Sequence, residues 1–206
     1  MTDPLPYRLA LAAVVAAAVG FGTLLSRRFG RPGNAVSRRS DGLPMALALA
    51  LGGALFYGGL LAFLAWPPLL GWSAMGLPAA VRWVGLPLLA GGFALALWAR
   101  FTLGASSTTT AVPAPGAGLV TDGPYRLLRH PIYSAGLLAV PGGALLTDSA
   151  LVLAAGLGVL GILDVRTRRE ERLLLDRFGA AYREHMDATR RWLPRWPGRR
   201  ESRRIP

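Results

Sequence analysis

The chain has 206 residues, 52% of them hydrophobic and 17% charged, with a formal net charge of +12. Long uncharged Ala/Leu/Val/Gly stretches alternate with short arginine-rich pieces, the pattern of a polytopic membrane protein rather than of one or two soluble domains. There is no cysteine, which excludes disulfides, thiolate nucleophiles and cysteine metal sites, and two histidines make a poor transition-metal site, so no metal is expected.

In chain order, residues 7–25, 43–66 and 80–103 are apolar runs, each longer than the roughly 18 residues of a span candidate. "AAA" at 16–18 resembles a signal-peptide cleavage region. The arginine cluster follows that run instead of preceding it, however, so the run reads as an uncleaved span with a stop-transfer flank. The third run carries Arg82 near its start and Arg100 near its end. Both are expected to snorkel to the interface. Residues 106–118, "SSTTTAVPAPGAG", read as a loop at the membrane surface, and Asp122-Gly123-Pro124 closes it with a turn. Two shorter runs, 132–147 and 150–165, are split by "TDS" and read as a tight helical hairpin. Gly52, Gly53, Gly58 and Gly59 in the second run, and Gly156, Gly158 and Gly161 in the fifth, suit close helix packing in lipid. Pro87 and Pro141 are candidate kinks.

The arginines set an orientation. The first connection holds Arg27, Arg28, Arg31, Arg38 and Arg39; the second holds none; the third holds Arg126 and Arg129; the fourth has only Asp148; the segment after Val165 is the richest of all. Basic and non-basic connections alternate, which predicts five spans with the N-terminus outside and the C-terminus in the cytosol. The net positive charge is assigned to this topology, and no nucleic-acid partner is expected.

At "RHP", proline disfavours the helical region for His130, while Pro131 suits a first helical position. The fourth span therefore starts near Pro131, its positive dipole end beside Arg126, Arg129 and His130. That arrangement could hold an anion or serve as plain interfacial anchoring. Further on, Leu174, Leu175, Phe178, Tyr182 and His185 share one helical face with Glu171, predicting an amphipathic cytosolic helix lying on the membrane or continuing from the fifth span. Glu170 is about 100° further round and is expected to be more exposed. Acidic groups near an anionic inner surface need positive company, for which Arg129, Arg166, Arg168 or a cationic cofactor qualifies. The chain divides into a three-span region (1–103), a second region of loop, hairpin and amphipathic helix (104–194), and a disordered basic tail (195–206).

"GLVTDGPYRLLRHPIY", a short hairpin, and "EERLLLDRFGAAYREHMDATRRWLP" together resemble the isoprenylcysteine carboxyl methyltransferase family and its bacterial relatives, and more loosely the phospholipid N-methyltransferases. The resemblance spans 119–194 and rests on a Gly-x-Tyr turn, Arg-His-Pro-x-Tyr, a double glutamate, Phe-Gly-x-x-Tyr and a terminal Arg-x-x-Pro. It implies an all-α integral-membrane enzyme that uses S-adenosylmethionine, with its site facing the cytosol from a bacterial plasma membrane. A lipophilic acceptor would arrive from the bilayer. Carried over, cofactor binding falls to Tyr125, His130, Pro131, Tyr133, Glu170, Glu171 and Tyr182, with Arg129 and Glu171 in the catalytic roles. Two positions depart from the family pattern: Ala135 stands where a glycine is common, with Gly136 after it, and His185 stands where a second tyrosine is common.

Membrane sterol and steroid reductases share Arg-His-Pro-x-Tyr and would use a nicotinamide cofactor. They typically carry Asn after the proline and an acidic residue after the small pair, where this chain has Ile132 and Gly136. A non-catalytic scaffold would leave the two glutamates and the Arg-His pair without a purpose. The acceptor is open among a carboxylate, an amine, a hydroxyl and a thiol, and oligomeric state is also open.

Overall fold

The computed structural model describes residues 3–29, 35–104 and 118–194, with side chains omitted for 35–41. Arg31, nearly all of the 106–118 loop and the 195–206 tail lie outside the described residues.

Among the described residues there are six α-helices: α1 (Leu5–Phe29), α2 (Ala35–Ala65), α3 (Ala79–Leu103), α4 (Pro131–Thr147), α5 (Ala150–Phe178) and α6 (Ala180–Ala188). Their ends follow from local chemistry. Gly42 (φ 71°) interrupts α2 ahead of its apolar part, and Pro67 and Pro68 then turn the chain into a 3₁₀ segment, Pro67–Ser73. Gly104 and Gly179, both at φ 53°, end α3 and α5. His130 is non-helical and Pro131 opens α4, as the sequence predicts. The "TDS" turn is two residues long: Asp148 is left-handed, and the Ser149 hydroxyl accepts from the Val152 N–H at 3.3 Å to cap α5.

Among the described residues, four helices are long and apolar enough to cross a membrane: Leu5–Phe29, Gly42–Ala65, Ala79–Leu103 and Ala150–Phe178. α4 has 17 residues, about 25 Å at the usual rise and short of a hydrocarbon core of roughly 30 Å. It packs between α3 and α5, and most of its second half is buried. α1 packs on α3, and α2 packs on α5. The core gathers Leu11, Phe56, Leu60, Leu89, Val140, Leu146 and Val152.

α3 and α4 meet backbone to backbone. A Cβ on Gly85 would lie 2.7 Å from the Leu146 nitrogen, and one on Gly92 would lie 2.7 Å from the Ala135 carbonyl oxygen. From the other side, a Cβ on Gly142 would press on the Leu89 backbone. These are the small-residue contacts expected where lipid supplies no hydrophobic drive between helices. On the other helix pairs, Gly52 and Gly59 face Val159 and Val152, and Gly156 faces Val140. Pro87 and Pro141 sit within α3 and α4 without ending them.

Two expectations change. Arg82 does not snorkel outward. It is buried, its guanidinium is 3.8 Å from the Tyr7 ring centroid, and it donates to the Leu146 carbonyl at 3.1 Å. A carbonyl in the last turn of α4 and an aromatic face together hold the charge more completely than the interface would. The amphipathic segment is also not one helix. α5 continues past the apolar residues to Phe178 and breaks at Gly179, and α6 starts as a separate helix at Ala180.

Candidate active site

Two non-helical segments lie side by side at one end of the bundle. One leads into α4 and the other follows α6. Leu128 and Arg190 form a parallel bridge; the Arg129 N–H donates to the Arg190 carbonyl at 2.8 Å, and the His130 N–H donates to the Arg191 carbonyl at 3.1 Å. Satisfying these backbone groups locks the segments together. It also brings two Arg-containing pairs, Arg129-His130 and Arg191-Trp192, to the place where α5 leaves the bundle.

α5 presents Glu170 and Glu171 there, and both are buried, at 2% and 4% exposure. The Arg129 Nε donates to Glu171 Oε1 at 2.9 Å, while its Nη1 donates to the carbonyls of Met186 (3.0 Å) and Thr189 (2.7 Å). Arg191 donates to both Glu171 oxygens. Glu170 accepts from the Tyr133 hydroxyl at 2.9 Å and pairs with Arg166, one helical turn back, at 3.1 Å. His130 lies between the carboxylates, with Nδ1 3.7 Å from Glu170 and Nε2 3.6 Å from Glu171. Its ring stacks on Tyr133, with centroids 5.5 Å apart and planes within 4°.

Glu170 is therefore not the more exposed of the two. The start of α4 lies over one flank of α5, so Tyr133 and His130 cover Glu170 as fully as Arg129 and Arg191 cover Glu171. Helical phase placed the residues correctly on α5 but could not show that two neighbours would enclose both faces.

Tyr182 is buried and so is Tyr125. Their phenols are pushed up, first by burial and then by negative charge, mainly from Glu171 for Tyr182 and from Glu170 for Tyr125. Burial also pushes the Glu171 carboxyl up, but His130, Arg191 and Arg129 outweigh it and hold the group well below the usual carboxylate range. The His185 imidazole is pushed down by burial, then by Arg129 and His130. Among the described residues, two buried polar atoms near the carboxylates, Tyr182 Oη and Trp192 Nε1, make no hydrogen bond. Buried polar groups are rarely left this way.

All the sequence-predicted site residues, Tyr125, Arg129, His130, Pro131, Tyr133, Glu170, Glu171 and Tyr182, are at this end of the bundle. Pro131 contributes by starting α4. Of the cations considered for the glutamates, Arg129 and Arg166 serve; Arg168 pairs instead with Asp164, at 2.9 Å and near the surface. The roles of Arg191 and Trp192 were not foreseen. Their signal was the terminal Arg-x-x-Pro, visible as a motif but silent about what it touches.

Residues 80–181 match the family model described as phospholipid methyltransferase. No curated protein matches the chain. The matched stretch begins at α3 and ends in the first turn of α6. It contains every predicted site residue except Tyr182, the next residue along. This is the looser of the two resemblances seen in the sequence, and a methyltransferase family of this kind generally uses S-adenosylmethionine.

Proposed function

We propose that this chain is an integral-membrane methyltransferase that binds S-adenosylmethionine and methylates a lipophilic acceptor at the cytosolic face of a bacterial plasma membrane. The observation that carries the reading is the buried Glu170–Glu171 pair, inside a segment matching a methyltransferase family and beside two buried polar atoms, Tyr182 Oη and Trp192 Nε1, that make no hydrogen bond among the described residues. The cytosolic orientation rests on the arginine distribution.

The residues present fit the cofactor. Its ammonium and ribose hydroxyls call for carboxylate acceptors, which Glu170 and Glu171 offer. Its carboxylate calls for donors, which Arg129, Arg191, His130 and Trp192 offer. Tyr125, Tyr133 and Tyr182 supply rings and hydroxyls around it. Bound there, S-adenosylmethionine brings a methyl group already activated for displacement. The protein's work is then to align an acceptor and exclude water. The stacked His130 and Tyr133 rings and the tie between the two non-helical segments hold those groups in place. A carboxylate acceptor needs no general base; an amine, hydroxyl or thiol would draw on His130 or His185. The family match favours a phospholipid acceptor.

Calorimetry of the detergent-solubilised protein with S-adenosylhomocysteine and with NADPH tests the cofactor. Binding of the first and not the second is expected, and the reverse result would overturn the reading in favour of a reductase. Mass spectrometry of lipids from cells fed methyl-labelled methionine, with and without the protein, then identifies the acceptor.

A further inference from the structure

Glu171 is already met by the chain's own cations. The Arg129 Nε donates to Oε1 at 2.9 Å; Arg191 donates from Nε to both oxygens at 3.2 Å and from Nη2 to Oε2. These four hydrogen bonds take up the roughly four lone-pair sites of a carboxylate. A ligand ammonium reaches Glu171 only if one of the guanidiniums gives up its place. Adding a third cation would be repulsive, and removing a guanidinium with nothing in return would strand a buried carboxylate. A trade of cation for cation avoids both penalties.

The two guanidiniums differ in how firmly they are held. The Arg129 side chain is 11% exposed and also donates to the Met186 and Thr189 carbonyls. The Arg191 side chain is 34% exposed, and its Nη1 lies 3.9 Å from Asp164 Oδ1. Asp164 precedes Glu171 on α5 by nearly two whole turns, so the two carboxylates share one face of the helix, about 10 Å apart along its axis. Arg168 holds Asp164 through Oδ2, at 2.9 Å, whereas Arg191 approaches through Oδ1. The backbone at Arg191 is pinned, because its carbonyl accepts from the His130 N–H at 3.1 Å. Moving from Glu171 to Asp164 is therefore a swing of one side chain, from a buried carboxylate to a surface one.

We propose that Arg191 is a built-in substitute for the ammonium of S-adenosylmethionine: it neutralises Glu171 until the cofactor's ammonium takes over that carboxylate, and it then turns to Asp164. The inference rests on the methyltransferase reading above and adds a means of selection to it. A nucleoside without an amino-acid end brings no cation to exchange and leaves Arg191 on Glu171. The ligand's carboxylate falls to the donors that stay, Arg129, His130 and Trp192. Glu171 is never left bare, and the pair formed with Asp164 is readily broken again, since exposed ion pairs contribute little.

Calorimetry of the full chain in detergent tests the exchange with two probes. S-adenosylhomocysteine carries the ammonium; methylthioadenosine keeps the nucleoside and the thioether but lacks the amino-acid end. Arg191→Gln removes the competing charge. It should tighten S-adenosylhomocysteine about tenfold, the scale of one charge-assisted contact, and leave methylthioadenosine unchanged. Asp164→Asn removes the second partner of Arg191 and should weaken S-adenosylhomocysteine several-fold, an effect that disappears when Arg191→Gln is also present. Weaker or unchanged S-adenosylhomocysteine binding in Arg191→Gln overturns the proposal, the weaker result because Arg191 would then hold the ligand itself. Equal tightening of both probes overturns it too, because the ammonium would not be what Arg191 competes with. If Arg191→Gln fails to fold, Asp164→Asn decides: S-adenosylhomocysteine must weaken and methylthioadenosine must not. Wild-type protein that binds no S-adenosylhomocysteine refutes the methyltransferase reading and the exchange together; wild-type binding without tightening in Arg191→Gln refutes the exchange alone.

Discussion

Arg129 and Glu171, 42 positions apart in sequence, meet at 2.9 Å and join the entry to α4 with the buried end of α5. The same guanidinium also holds two carbonyls that close α6, those of Met186 and Thr189. One side chain thus fixes three segments, and a planar fork is what allows it. Arg129→Lys keeps the charge but cannot span the three acceptors. A loss of roughly 1–3 kcal/mol is expected, from buried groups left unsatisfied. Thermal unfolding in detergent measures it, and a melting temperature equal to wild type would contradict the bridging role.

Glu170→Gln and Glu171→Gln are both expected to be damaging, because both carboxylates are buried and paired. Each should weaken binding of S-adenosylhomocysteine, by about 1.5–3 kcal/mol for a lost charged hydrogen bond. Tyr133→Phe removes one neutral donor from Glu170 and should cost less, roughly 0.5–1.5 kcal/mol. Calorimetry on the three variants ranks them. Normal affinity in Glu170→Gln would mean that its charge serves Arg166 and Tyr133 alone.

Stability should fall on acidification in two stages. His185 has a lowered pKa in the fold, so below its ordinary value of 6.5 the unfolded chain takes up a proton that the folded chain declines. Its contribution is present above that value and drains away as pH falls. Glu171, also lowered, contributes above its ordinary 4.5 and loses that contribution at lower pH. His185→Gln should flatten the first stage and leave the second. Unfolding midpoints measured across the range separate them, and an unchanged first stage would absolve His185.

Gly142→Ala should destabilise the bundle strongly, since the new methyl would press on the Leu89 backbone, which cannot swing aside. Gly158→Ala meets nothing within 4 Å. It should be neutral or stabilising by up to about 1 kcal/mol, from helix propensity. Thermal unfolding of the pair tests whether α3 and α4 are joined by their glycines.

Reporter fusions test the proposed topology. An activity specific to the outside is expected at the exposed Trp72, in the 3₁₀ segment after α2, and a cytosolic signal is expected after Arg200. A cytosolic signal at Trp72 would reverse the assignment.

Helix positions were legible because hydropathy and proline are local signals: Pro131 marked the start of α4, and "TDS" marked its end. The order of the motifs made it legible that the candidate site residues would gather at one end of the bundle. What sequence could not supply was the second side of each contact. Arg82 reads as an interfacial arginine until Tyr7 and Leu146 are seen to receive it. Glu170 reads as exposed until α4 is laid across it. Gly179 was visible inside Phe-Gly-x-x-Tyr, yet a left-handed glycine that breaks a helix looks in sequence like one that merely sits within it.

The glycine seam between α3 and α4 also sets how the length of α3 can vary. Gly85, Leu89 and Gly92 share one face because their spacings are whole turns, or nearly so. Inserting or deleting a single residue among them would rotate the next contact by about 100°, away from Ala135, Gly142 and Leu146. Changes in length are therefore confined to the ends of α3, and relatives of this chain should differ in length outside 85–92, never within it.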